Sequence, residues 1–98
     1  MSKDVQTLIR LLETVAGDVQ RRYRTEILGI FGSYVRGEQR ETSDLDVLVR
    51  FAPGATLFDL VGLADFLEER LGIRVDVVPV DALREEIRDQ VFREAVYL

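Results

Sequence analysis

Gly-Ser-Tyr-Val-Arg-Gly-Glu-Gln-Arg-Glu-Thr-Ser-Asp-Leu-Asp, residues 32–46, is the most informative stretch of this chain. An apolar segment precedes it at residues 27–31 and another follows it at residues 47–49, as expected for two buried strands. The stretch combines a Gly-Ser pair, which is typical of phosphate binding, with two aspartates, which are typical of metal binding. Together these features indicate the transfer of a phosphoryl or nucleotidyl group.

The Gly-Ser pair has the properties of a phosphate-binding turn. Gly32 has no Cβ, so its backbone can turn sharply and come close to a ligand. Ser33 begins a short predicted helix, whose unpaired backbone N–H groups attract phosphate, and its hydroxyl adds one more hydrogen-bonding group. We therefore expect Gly32 and Ser33 to contact the phosphates of a nucleotide.

Asp44 and Asp46 are predicted metal ligands. They are two residues apart on a predicted strand, so their side chains point to the same face. Two carboxylates on one face repel each other unless a cation lies between them, and Mg²⁺ takes oxygen ligands and bridges to phosphates. The alternative is a polar turn followed by two solvent-facing aspartates on an edge strand. The Gly-Ser pair in the same stretch favours the metal site.

The spacing of these motifs resembles that of the DNA polymerase β-like nucleotidyltransferase superfamily. Ten residues separate the Gly-Ser pair from the Asp-x-Asp motif, and Arg36-Gly37 and Ser43 between them resemble the smallest branch, the minimal nucleotidyltransferases, or MNT domain proteins. The resemblance covers nearly the whole chain, which we interpret as one domain, residues 1–98. It implies one more carboxylate on a third strand, and Asp76 occupies that position.

The resemblance also implies roles for individual residues. The metal, Mg²⁺ with Mn²⁺ as the alternative, would be held by three carboxylates: Asp44, Asp46 and Asp76. The nucleotide, ATP, would be bound by four residues of the turn and the following loop: Gly32, Ser33, Arg36 and Ser43. The three carboxylates are also the implied catalytic residues, and Asp76 would accept the proton of the attacking hydroxyl.

Two of these residues have a structural alternative. Asp76 is otherwise a solvent-exposed strand residue, or one paired with Arg74 or Arg50. For Arg36, the alternative to phosphate binding is an ion pair with a neighbouring acidic residue, Glu38 or Glu41.

The reaction implied by the resemblance is transfer of AMP from ATP to a tyrosine of a HEPN-type RNase toxin, so that the chain acts as the antitoxin. Two alternatives stay open. One is a nucleotide-binding antitoxin that blocks its partner by contact without catalysis. The other is a nucleotidyltransferase subunit for a small molecule or RNA, with a separate subunit that binds the acceptor.

Composition excludes several other classes of site. The 98 residues contain no cysteine and no histidine, which removes disulfides, thiol nucleophiles, imidazole bases and the usual zinc ligands. The net charge of −5 gives no general attraction to nucleic acid, so we expect no direct nucleic-acid binding. No apolar run reaches the roughly 18 residues of a membrane span, and the first residues lack a signal pattern. We expect a cytoplasmic protein without a membrane partner.

The predicted fold is α/β, with a small mixed sheet flanked by helices in the order α-β-α-β-α-β-α. We predict helices at about residues 3–23, 33–38, 57–71 and 82–96, the third capped by Thr56 and the last by Asp81. We predict strands at about residues 26–31, 45–51 and 74–78, the last ended by Pro79. The first two strands should be antiparallel, because the Gly-Ser pair ends one and the aspartates begin the other, yet both must meet one ligand.

The third predicted helix is apolar on two sides. One stripe contains six residues: Leu57, Leu60, Val61, Ala64, Leu67 and Leu71. A second stripe contains Phe58, Gly62 and Phe66. Either the two phenylalanines pack under a loop or the last helix, or they form a surface for a partner or a homo-oligomer.

Overall fold

The computed structural model describes residues 4–98, which form four α-helices and four β-strands. In chain order these are α1 (Val5–Tyr23), β1 (Thr25–Phe31), α2 (Ser33–Arg36), β2 (Leu45–Phe51), α3 (Leu57–Leu71), β3 (Val75–Pro79), a 3-10 turn (Val80–Ala82), α4 (Glu85–Glu94) and β4 (Val96–Tyr97). The predicted start of the first helix, Lys3, lies outside the described residues.

The strands form one mixed sheet in the order β3-β2-β1-β4. The predicted antiparallel pairing of β1 with β2 is confirmed, and β3 runs parallel to β2 on its other side. This arrangement places the end of β1 and the start of β2 at the same end of the sheet, and the candidate active site lies at that end.

Helices cover both faces of the sheet. The main core lies between the sheet and the paired helices α1 and α3, and it includes Leu12, Val47 and Leu67. A smaller cluster on the opposite face joins Leu48 of β2 to Leu83 and to Val91 of α4. Among residues 4–98, no helix is both long enough and apolar enough to cross a membrane.

A bulge in β1 decides which side chains face the site. Ile27 pairs with Val49 and Gly29 pairs with Leu48, so one residue of β1 is left without a partner between them. The extra residue reverses the alternation of side chains along the rest of the strand. As a result Phe31 lies opposite Asp46, on the same face of the sheet, instead of entering the main core.

The ends of α3 follow the sequence closely. Thr56 and Asp59 form a capping box, in which the Thr56 N–H donates to a carboxylate oxygen of Asp59 over 2.8 Å and the Asp59 N–H donates to the Thr56 hydroxyl. Gly72 ends the helix in the left-handed conformation, with φ of 71°. Both predicted ends of this helix are confirmed.

The predicted last helix, residues 82–96, is wrong at both ends. Asp81 lies in the 3-10 turn and caps nothing, because Leu83 and Arg84 remain extended and α4 starts only at Glu85. Beyond α4, Val96 and Tyr97 form β4 against the edge of β1.

A glycine in β1 makes the β4 pairing possible. Gly29 faces Tyr97, and a Cβ at Gly29 would clash with the Val96 carbonyl.

Other elements differ from their predicted bounds by one or two residues. Helix α2 ends at Arg36 instead of residue 38, and β3 is shifted by one residue so that it includes Pro79.

The second apolar stripe of α3 is divided between core and surface. Phe66 is 8% exposed and packs 5.6 Å from the Tyr23 ring, with the Arg22 and Arg70 guanidinium groups above it. Phe58 is 88% exposed. The prediction of a shared surface for both rings is therefore wrong for Phe66.

The other predicted stripe of α3 is also divided. Leu67 and Leu71 are buried as predicted, but Leu57 and Val61 are exposed beside Phe58. The reason is geometric: only the C-terminal part of α3 has α1 and the sheet beside it, so its first turn meets solvent on both predicted stripes.

Candidate active site

The turn at Gly32 brings the end of β1 close to the first carboxylate of the site. Gly32 has φ of 88° and ψ of −155°, a conformation that favours glycine. A Cβ at this position would clash with the carboxylate of Asp46. Gly32 is therefore required both by the backbone conformation and by the close approach of Asp46.

Ser33 starts α2 immediately after this turn. The Gly32 carbonyl accepts the N–H groups of Val35 and Arg36, which fixes the first turn of the helix. Among the hydrogen bonds formed within residues 4–98, none uses the Ser33 hydroxyl. The hydroxyl is thus free to bind a ligand beside the turn.

Asp46 and Asp76 lie side by side on neighbouring parallel strands. They are partners in the register of β2 and β3, so both side chains project from the same face. Burial, followed by the negative charges of Asp76 and Asp44, raises the pKa of Asp46 to about 6. A cation between these carboxylates would remove the repulsion, and their oxygens are suitable ligands for Mg²⁺.

Asp44 forms an ion pair with an arginine. Its Oδ1 lies 3.0 Å from Nε of Arg74, and Arg74 also donates to the carbonyl of Thr42. Within residues 4–98, no group of three acidic side chains lies close enough together to hold a metal ion. The structure thus brings Asp46 and Asp76 together, and a role for Asp44 as third ligand stays a prediction.

Neither ion pair considered for Asp76 is present. Arg74 is paired with Asp44, and Arg50 is paired with Glu26 over 3.1 Å. The Asp76 side chain is exposed and faces the cleft beside Asp46. This environment leaves its carboxylate available to a metal or to a proton.

Arg36 is held by two carboxylates. Its Nε lies 2.7 Å from Glu38, one of the two ion pairs considered from the sequence, and its Nη1 lies 2.8 Å from Glu94. No ion pair joins Arg36 to Glu41 among the described residues. The hydrogen bonds to Glu38 and Glu94 raise the pKa of Arg36, so it is always charged. Because its Nη2 takes part in neither ion pair, Arg36 can still bind a phosphate.

Ser43 stabilises the loop before β2. Its hydroxyl oxygen accepts the Arg40 N–H over 2.8 Å, and its own N–H donates to the Arg40 carbonyl. These bonds close a tight turn that leads into Asp44. The predicted contact of Ser43 with a nucleotide stays a prediction.

Glu94 belongs to the site and was missed from the sequence. One carboxylate oxygen accepts the Gly32 N–H over 2.8 Å, and the other binds Arg36. Burial raises the pKa of Glu94, but the hydrogen bonds from Arg36 and Gly32 outweigh it and lower that pKa overall. A weak signal was present: an acidic residue in the last turn of a helix is opposed by the helix dipole and so needs a positive partner.

Two cavities meet at Asp46, between the end of the sheet and α4. The smaller, of about 230 Å³, is lined by the phosphate-binding turn and α4: Gly32, Arg36, Gln90, Val91 and Glu94. The larger, of about 370 Å³, is lined by β3 and the segment before α4: Asp76, Val78, Ala82, Leu83 and Arg84. Both cavities also contact Phe31 and Ile87. A third cavity, of about 250 Å³, lies around Thr25 and Arg50 and contains none of the predicted site residues.

Comparison with known proteins decides the family. The nucleotidyltransferase domain family matches residues 12–98 of this chain. The chain belongs to this family. The expected nucleotidyltransferase and its α/β fold with a mixed sheet are both confirmed.

Individual relatives narrow the class of nucleotidyltransferase. The chain is 42% identical over 81 residues to the protein adenylyltransferase MntA of Thermococcus cleftensis, covering 83% of this chain and 82% of that protein. A solved structure described as a minimal nucleotidyltransferase is 44% identical, with a TM-score of 0.80 over 98% of this chain and 97% of the other. A mutant toxin–antitoxin complex of MntA contains a chain that is 25% identical, with a TM-score of 0.66 over 99% and 72% of the two chains. The resemblance to minimal nucleotidyltransferases is therefore confirmed.

Proposed function

We propose that this nucleotidyltransferase transfers AMP from ATP, with Mg²⁺ or Mn²⁺, to a tyrosine of a HEPN-type toxin and so acts as its antitoxin. The observation that carries the proposal is the pair of neighbouring carboxylates, Asp46 and Asp76, beside the Gly32 turn. The Gly32 side of this arrangement suits phosphates, and the Asp76 side suits an acceptor hydroxyl. Nucleotidyl transfer requires both groups to bind next to each other.

The phosphates of ATP are assigned to the smaller cavity. Gly32 and Arg36 line this cavity, and the free Nη2 of Arg36 can donate to phosphate oxygens. Ser33 directly follows Gly32 in the chain, and its hydroxyl is a second donor that a phosphate would reach at this turn. Asp46 lines both cavities, so the α-phosphate would lie next to it. Bound Mg²⁺, held by Asp46 and Asp76 with Asp44 as the predicted third ligand, would neutralise the phosphates and polarise the α-phosphate.

The acceptor hydroxyl is assigned to the larger cavity, where Asp76 can take its proton. In the transfer, a bond forms between the acceptor oxygen and the α-phosphorus, and the bond from that phosphorus to the bridging oxygen of pyrophosphate breaks. Asp76 receives the proton of the hydroxyl, and pyrophosphate leaves on the side of Arg36. The exposure of Asp76 and the absence of an ion pair to it within residues 4–98 support this role.

The walls of the larger cavity support an aromatic acceptor. Val78, Leu83 and Ile87 give it apolar walls next to the two carboxylates. A tyrosine ring would contact these walls while its hydroxyl reaches Asp76. The name of the Thermococcus relative, a protein adenylyltransferase, and the toxin–antitoxin complex of MntA support a protein partner of the toxin class.

The direct test is the intact mass of a HEPN-type partner after co-expression with this chain. We expect the partner to gain the mass of one AMP on a tyrosine, and the gain to disappear with Asp76→Asn. Asp89→Asn, at an exposed position of α4, is the control and should leave the gain unchanged.

Other outcomes separate the alternatives. An unmodified partner that is nevertheless inhibited at equal stoichiometry would indicate a contact-only antitoxin, and transfer to a small molecule or RNA would indicate the other class of acceptor. The intact mass of this chain must be measured as well, because the exposed Tyr97 could itself accept AMP. Tyr34 is buried and therefore protected from self-modification.

A further inference from the structure

Glu94 links the last helix to the two groups that face the proposed phosphate position. Its two carboxylate oxygens each form a 2.8 Å hydrogen bond, one with the Gly32 N–H and one with Nη1 of Arg36. The Glu94 side chain is 15% exposed, whereas that of Arg36 is 45% exposed. A partly buried carboxylate of α4 therefore holds an exposed arginine of α2 and the backbone of the preceding turn at the same time.

A charged Glu94 at this position would destabilise the fold if these two hydrogen-bond donors were absent. Burial disfavours its charge, and the carbonyl end of α4 adds negative potential. The other partner of Arg36, Glu38, is 65% exposed, and an ion pair with such an exposed carboxylate holds a side chain only weakly. Glu94 is thus the partner that fixes Arg36.

We infer that Glu94 is a positioning residue, which holds Arg36 and the Gly32 turn in the arrangement that binds nucleotide phosphates. The inference rests on the proposed function, because it requires Arg36 to face the phosphates. With Nε on Glu38 and Nη1 on Glu94, Nη2 is the guanidinium nitrogen that forms no hydrogen bond within residues 4–98, so it remains available to a ligand. Because Glu94 uses the Gly32 N–H and not the Ser33 hydroxyl, it supports the turn without occupying that ligand-binding group.

An opposite role for Glu94 makes the inference testable. A carboxylate bound to a backbone N–H and an arginine also resembles a bound phosphate, so Glu94 would compete with ATP if it occupied the phosphate position itself. A positioning residue strengthens ATP binding, and a competing anion weakens it. The effect of removing the charge therefore has opposite signs in the two cases.

The experiment is a double-mutant cycle on the binding of a non-hydrolysable ATP analogue with Mg²⁺, measured by calorimetry. The variants are Glu94→Gln, Arg36→Ala and the double variant, with Glu86→Gln on the exposed face of α4 as the control. Glu94→Gln keeps an oxygen that accepts the Gly32 N–H, so the fold is retained. We expect it to weaken binding about 5- to 30-fold in the wild-type background and less than about twofold in the Arg36→Ala background.

Steady-state kinetics add a readout that a purely structural role would not give. With Glu94→Gln, the KM for ATP should rise while kcat stays within about twofold, because Asp46 and Asp76 are unchanged. Glu86→Gln should change neither constant.

Three results would overturn the inference. Tighter binding by Glu94→Gln would identify a competing anion, and an equal loss in both backgrounds would show that Glu94 does not act through Arg36. Undiminished ATP binding by Arg36→Ala would show that Arg36 does not contribute to binding, so Glu94 could not act through it. In that last case ATP still binds, so the proposed function survives, whereas an absence of ATP binding by the wild-type chain would contradict the proposed function itself.

Discussion

At the scale of single residues, Asp46 has the environment that departs most clearly from that of a free aspartate. Burial and the charges of Asp76 and Asp44 raise its pKa from 3.8 to about 6. Because the pKa is higher in the folded than in the unfolded protein, folding favours the protonated form. The stabilising contribution is complete below about pH 4 and is lost as the pH rises through 6. Without a metal, the ionised carboxylate therefore destabilises the fold at neutral pH.

Asp46→Asn should stabilise the metal-free protein at neutral pH. In EDTA at about pH 7.5 we expect the free energy of unfolding to rise by about 1 kcal/mol, which is less than the full pKa shift implies because Asp46 is partly solvated. The gain should shrink towards pH 4, where the carboxyl is protonated. Guanidinium denaturation at the two pH values measures it. Asp89→Asn serves as the exposed control, and an equal gain at both pH values would contradict the assigned cause.

Alanine variants at two glycines with positive φ distinguish the effect of backbone strain from the effect of a steric clash. Gly32 and Gly37 have φ of 88° and 73°, but only at Gly32 would a new Cβ clash, and there it meets the carboxylate of Asp46. Gly37→Ala should cost about 1 kcal/mol of stability and leave ATP affinity unchanged.

Gly32→Ala should cost more stability and also abolish ATP binding, because Asp46 must move. Chemical denaturation and calorimetry on the pair provide the measurements. Equal behaviour of the two variants would show that Gly32 serves only the turn.

Single residues differ in how far the sequence predicts them. Gly32, Asp46 and Asp76 lie beside one another in the structure, as the apolar patterns of the three strands next to them suggest, while their roles in binding and catalysis stay predictions. Glu94 was not predicted, since its contact with Gly32 spans 62 residues and depends on how α4 crosses the sheet. A local pattern contains no information on that crossing.

At the scale of elements, apolar periodicity predicted most helices and strands but not their contacts. The bulge in β1 depends on pairing with β2, and β4 has two residues, which is too short for a pattern. The first turn of α3 shows the same limit: its apolar residues are typical of a core, yet the fold leaves them exposed.

The two phenylalanines of α3 should therefore differ strongly in stability. Phe66→Ala opens the main core between Tyr23 and two arginines, and we expect it to lower the free energy of unfolding by about 3 to 5 kcal/mol. Phe58→Ala, on the same helix and 88% exposed, should change it by less than about 0.5 kcal/mol. Denaturant titration of both variants tests the difference. A large loss with Phe58→Ala would mean that its ring is covered, for example by self-association.

At the scale of the whole molecule, charge controls the proposed reaction. The chain has a net charge of −5, and the cleft contains at least two carboxylates, so ATP without a metal meets repulsion. A divalent cation neutralises both partners at once. The sequence was sufficient to predict the acidic character of the site, because it follows from the number of charges and from the aspartates at the starts of two strands. The dependence on a metal stays a prediction.

The most direct test of the account is calorimetric titration of the protein with a non-hydrolysable ATP analogue, with Mg²⁺ or with EDTA. We expect removal of Mg²⁺ to weaken binding at least about tenfold in the wild-type protein and in the control Asp89→Asn. Asp46→Asn should bind weakly in both conditions, because it lacks the ligand between the two cavities. Equal affinity of the wild-type protein with Mg²⁺ and with EDTA, or full Mg²⁺-dependent affinity of Asp46→Asn, would contradict the account.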